Sequence, residues 1–82
     1  MNYKDGAQVR AERIREMGKT LEEVLRETDE VGYSYMILTF QKKYGLRKQT
    51  VIEYLEVLSN DFNIDAITDK ISRVKDSESI VT

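Results

Sequence analysis

Between Ser34 and Leu58 the apolar positions fall into two helical stripes with a break of two residues between them. Ile37, Phe40 and Tyr44 lie at i, i+3, i+7, and Val51, Leu55 and Leu58 at i, i+4, i+7. Each spacing gathers three apolar groups on one face of a 3.6-residue helix. Gly45 stands where the first stripe must stop, because a left-handed residue after a helix is least costly as glycine. Leu46 then plugs the space between the two apolar faces.

Upstream, Ala7, Ala11 and Ile14 run i, i+4, i+7 with Met17 following. This predicts a helix capped by Asp5 and ended by Gly18. Its outer face carries Arg10, Arg13 and Arg15 with Glu12 and Glu16, spaced for pairing along the helix. Such a thin, alanine-rich stripe reads equally as an ordinary amphipathic helix or as a dimerisation helix. Thr20-Leu21-Glu22-Glu23 has capping-box form and predicts a second helix, with Leu21, Val24, Leu25 and Thr28 inward and the acids outward. Gly32 breaks the chain before the central pair. Tyr33, Tyr35 and Ile37 alternate as a short strand would, but the later spacing favours a helix from about Tyr35, with Ser34 as N-cap.

Beyond Leu58, Ser-Asn-Asp marks a turn. The stretch after it has two readings. Ile64, Ile67, Ile71 and Val74 suit a fourth helix capped by Asp65. Phe62, Ile64 and Ala66 instead alternate as a strand, with Thr68-Asp69-Lys70 turning and Ile71 opening a return strand. Turn chemistry favours the hairpin; periodicity favours the helix. The fold class expected is mainly α, with three to four helices including a helix-turn-helix, and a C-terminal two-stranded wing where the hairpin reading holds. The expected organisation is one domain over residues 1–75, frayed at Met1 to Lys4, and a mobile tail over 76–82.

The segment carrying Phe40, Tyr44, Gly45, Leu46, Val51, Leu55 and Leu58 resembles a helix-turn-helix, and the chain resembles a small winged-helix DNA-binding domain. The resemblance implies that the second helix of the motif enters the major groove of double-stranded DNA. Carried over by position, Lys48, Gln49, Ile52 and Glu53 face base edges, with Thr50 beside them. Arg47 faces phosphate, as do Lys42 and Lys43, and the wing adds Lys70 and Arg73. Gln suits adenine, Lys guanine, Glu the cytosine amino group, and an apolar tip the thymine methyl. Arg47 departs from the small hydroxyl cap usual there, and Glu53 and Glu56 set acids near phosphates. Binding as a homodimer to two half-sites is the expected remedy for a small footprint.

Charge changes the picture in one respect. The net charge is −2 and the pI about 5.1, not the basic balance of a typical DNA binder. Yet Val31 to Ile52 holds four bases, Lys42, Lys43, Arg47 and Lys48, and no acid. Thr20–Glu30 holds five acids against Arg26, and Glu53–Asp69 five acids and no base. Lys42 and Lys43 suit a helix C-terminus. Arg47 and Lys48 open the next helix, where the macrodipole disfavours cations and a phosphate offsets the cost. The alternative is an adaptor that binds a protein partner through an outward Ile52, and no nucleic acid.

Candidate chemistry is thin. With no cysteine and no histidine, disulfides, cysteine-rich zinc sites and histidine proton shuttles are excluded. The four glycines are isolated, so no phosphate-cradling loop exists. The expectation is a non-enzyme without cofactors. No apolar run approaches the length of a membrane span and no signal peptide is visible, so a cytoplasmic protein is expected.

Overall fold

A computed structural model describes residues 6–74, and their side chains from 8 onward. The expected Asp5 cap, the frayed start and the 76–82 tail lie outside the described residues. In chain order the elements are α1 (Gly6–Glu27), β1 (Glu30–Gly32), α2 (Tyr33–Tyr44), α3 (Lys48–Leu58), β2 (Phe62–Asp65) and β3 (Lys70–Arg73). The fold is mainly helical, with a helix-turn-helix and a small three-stranded antiparallel sheet. No described helix is long and apolar enough to cross a membrane.

The first correction concerns α1, which runs unbroken through Gly18 and Thr20. Ile14, Met17, Leu21 and Leu25 lie at i, i+3, i+7, i+11, one stripe continuous across the glycine. The last three are fully buried. Gly18 costs about 1 kcal/mol of helix propensity, less than the burial of that stripe contributes. It also permits close packing: a Cβ there would stand 3.2 Å from Leu58 Cδ2. Thr20 is thus an interior residue and not a cap.

The second correction concerns the start of α2. The alternation of Tyr33, Tyr35 and Ile37 is helical, as the later spacing favoured, but the helix begins at Tyr33, and a short strand that the alternation did not mark precedes it at Glu30–Gly32. Gly32 holds the N-cap position with φ −69° and ψ 134° and has no side chain to cap with. Ser34 sits in the first turn. The orphan amides there are met across the chain by Asp69. Tyr33 N–H donates to the Asp69 carbonyl at 3.1 Å. Ser34 N–H and its hydroxyl donate to Asp69 Oδ1 at 2.8 and 2.7 Å. Asp69 adopts φ 62° to do this, a left-handed conformation that Asp tolerates better than most residues.

The hairpin reading holds and the fourth-helix reading does not. β3 is central, paired with β1 on one side and β2 on the other. Ile71 lies between Val31 and Ile64 in register and is fully buried. Ile67, which the helix would have faced inward, is 95% exposed at the hairpin tip. The turn falls over 66–69, about two residues earlier than expected, because Asp65 Oδ1 accepts the amides of Ile67 and Thr68 at 2.9 and 3.2 Å and closes the loop locally.

Gly45 ends α2 as expected, at φ 68° and ψ 36°. The amides of Gly45 and Leu46 both donate to the Gln41 carbonyl, at 2.8 and 3.2 Å, a Schellman-like closure. A Cβ at Gly45 would meet nothing within 4 Å, so the cost of a side chain there is purely conformational. Gly45→Val is expected to destabilise by about 2 kcal/mol and Gly45→Asn by well under half of that. Thermal melts of the pair check this; equal melting temperatures would deny the left-handed turn.

The Asp69 latch predicts a pH dependence. Its carboxyl is held below the ordinary 3.8, first by the Ser34 hydroxyl and then by the Ser34 amide. The Asp65 carboxyl is lowered by the amides of Thr68 and Ile67. A depressed carboxylate contributes stability above its unfolded value, and that contribution is lost as pH falls through the folded value. Stability should therefore drop below about pH 4. Asp69→Asn, which keeps an acceptor and tolerates the left-handed backbone, should flatten part of that drop. Melts of both proteins at matched acid pH decide it; parallel curves would refute the latch.

Candidate nucleic-acid interface

α3 presents its apolar face inward as the spacing required: Val51, Leu55 and Leu58 are buried against Phe40, Met36 and Leu21. The inward face determines what remains outside. Lys48 and Gln49, the first two residues of α3, are exposed, as are Glu53, Glu56 and Val57. Thr50 and Ile52 are half-buried, and Ile52 packs on the core. Ile52 therefore does not project as a free apolar tip. On a wheel turning 100° per residue it lies at the edge of the stripe, about 60° from Leu55.

Arg47 occupies the N-cap of α3 in extended conformation, exposed, and makes no side-chain cap hydrogen bond. No acid lies in the first turn. The start of α3 thus combines a positive helix end with two exposed cations, a setting suited to an anion. Lys42 and Lys43 end α2, both exposed. Lys43 is partly engaged: its Nζ lies 3.4 Å from Thr20 Oγ1 and 5.5 Å from the Tyr44 ring centroid.

Two residues assigned to the outer face of the first helix belong here. The Arg13 guanidinium lies over the Tyr44 ring at 4.7 Å and that of Arg10 over Tyr54 at 5.8 Å. The spacing held the signal. Arg10, Ile14, Met17 and Leu21 run i, i+4, i+7, i+11, so Arg10 extends the core stripe past the end of the core. There its stem can cover apolar surface while the charge stays in water. Both arginines pack α1 against the helix-turn-helix, Arg13 on Tyr44 at the end of α2 and Arg10 on Tyr54 in the middle of α3, so six cations stand on or against it: Arg10, Arg13, Lys42, Lys43, Arg47 and Lys48.

The two wing cations do not join this group. Lys70 is 3.6 Å from Glu30 across the sheet. Arg73 pairs with Phe62 at the base of the hairpin and lines a cleft beside Leu58. Leu58 ends α3, roughly 15 Å along the helix from Lys48. The hairpin tip offers Asp65 and Asp69, whose carboxylates are turned to internal amides. Lys70 thus stands beside the tip and Arg73 at the base of the hairpin. Register decides this, because Arg73 pairs at the end of β3 farthest from the tip.

No protein-family description, curated protein or solved structure matches this chain.

Proposed function

We propose that the domain binds double-stranded DNA through the α2–α3 end of the molecule. The first turn of α3 enters the major groove, and the surrounding cations meet phosphate. The observation that carries this reading is the gathering of six cations around a helix-turn-helix whose own segment, Val31 to Ile52, contains no acid. Glu53 and Glu56, exposed further along α3, repel phosphates and restrict the insertion to Lys48, Gln49 and their neighbours. Two copies on adjacent half-sites fit a footprint this small. Val9, exposed on the first half of α1, is available to such a pairing, whereas Ile14 packs on the core.

Fluorescence anisotropy with short duplexes tests the reading. Arg47→Ala and Lys43→Ala should each reduce the slope of log K against log salt by about 1. Arg47→Ala should weaken all sequences alike. Gln49→Ala should cost ~1–3 kcal/mol on a preferred site and little on random DNA, because a base contact carries sequence information. Stoichiometric titration should give two chains per site. Slopes unchanged by either cation deletion would sink the proposal.

A second reading has its own observation. Tyr35 and Leu38, one turn apart on the outer face of α2, are 64% and 52% exposed. Apolar groups so placed suit a protein partner. An adaptor of this kind captures its partner through α2, and Tyr35→Ala with Leu38→Ala abolishes capture while the fold persists. The half-buried Ile52 no longer supports it.

A further inference from the structure

At the end of α3 farthest from Arg47, an open cleft of about 600 Å³ lies between α1, the α3–β2 turn and the end of β3. Its floor is apolar, made by the buried side chains of Leu58 and Phe62. Gly18 opens it, since any side chain there would press on Leu58. Arg15 and Lys19, one turn apart on α1, and Arg73 on β3 stand around the floor. Among the described residues none of these three cations has an ion-pair partner within 4 Å. Glu22 and Asp61 complete the rim. The volume lies within the roughly 300–1,000 Å³ range of small-molecule sites.

We propose that this cleft binds a small carboxylate with a short hydrocarbon body. The carboxylate meets the guanidinium forks of Arg15 and Arg73, which match its two oxygens, and the ammonium of Lys19. The hydrocarbon lies on Leu58 and Phe62. Three cations against two acids leave one positive charge unbalanced, which a single negative charge neutralises. A polyanion would meet repulsion from Glu22 and Asp61. This site stands apart from the DNA reading, because it lies at the other end of α3 and its occupancy is measured without nucleic acid.

Isothermal titration of the full chain at constant ionic strength tests it, with hexanoate, acetate, inorganic phosphate and hexylammonium as probes. Hexanoate is expected to saturate a single site. Acetate, lacking the body, and hexylammonium, with the wrong charge, should bind at least about tenfold more weakly. Arg15→Gln and Arg73→Gln should each weaken hexanoate by about tenfold. Melting should be unchanged, because both side chains are exposed. Failure of hexanoate to saturate would overturn the proposal. So would phosphate or hexylammonium binding as tightly as hexanoate, or Arg73→Gln leaving its affinity intact.

Discussion

A fourfold rise in salt, from about 50 to about 200 mM, is expected to weaken binding to mixed-sequence duplex DNA roughly 150-fold if four phosphates are contacted. The arithmetic follows from counterion release. Each phosphate neutralised contributes about −0.9 to the slope of log K against log salt, and a fourfold change is about 0.6 in log salt. Engagement of six cations would raise the loss to over roughly a thousandfold. Replacing Lys42, Arg47 and Lys48 together by alanine should remove most of the slope. Their side chains are exposed, so the fold should survive. The adaptor reading expects no salt-dependent shift at all. If wild type fails to shift duplex DNA even at the lowest salt, the DNA proposal is wrong.

Phe40→Ala is expected to cost about 3–5 kcal/mol. Phe40 has no exposed surface and is the largest of the fully buried side chains. It meets the stripe of α1 and the inner face of α3 in one cluster, with Tyr44 stacked beside it at 6.0 Å. A domain of this length is stable by only about 4–12 kcal/mol. The substitution should therefore lower the melting temperature by roughly 15–30 °C or leave the chain largely unfolded at room temperature. Leu38→Ala, two residues away but 52% exposed, is the control and should cost well under 1 kcal/mol. Similar melts for the two variants would mean that α2 does not pack on the face described here.

The central pair of helices was legible because its signals are local. Three apolar positions per helix, a glycine at the break and a plug after it concern residues within a few turns of one another. The buried set Ile37, Phe40, Val51, Leu55 and Leu58 and the left-handed Gly45 follow from them. Turn residues after Leu58 were equally readable. The Ser59 hydroxyl donates to the Glu56 carbonyl at 2.6 Å and the Asn60 amide to that of Val57 at 3.0 Å. The acid-free basic segment was also visible, since counting charges needs no coordinates.

What the sequence determined by itself is therefore the helix-turn-helix, its inward face, and where its cations sit along the chain. Tertiary structure decided the rest, wherever a local signal was ambiguous and a distant partner settled it. Gly18 and the Thr20 box look like a helix boundary. Leu58 packing against the glycine, and the unbroken stripe beneath it, make one helix instead. Ser34 looks like a cap, but Asp69, 35 residues away, takes that role and moves the helix start. Phe62 to Val74 fits two periods, and pairing of β3 with both β1 and β2 selects the hairpin because it buries Ile71 between Val31 and Ile64. The same pairing carries Arg73 away from the hairpin tip, while packing of α1 brings Arg13 to Tyr44 and Arg10 to Tyr54. Hydrogen bonds to Asp69 decide the helix start, and apolar burial decides the long first helix and the hairpin. Helical and strand propensities differ by fractions of a kcal/mol per residue, and burying one large apolar side chain contributes more than that.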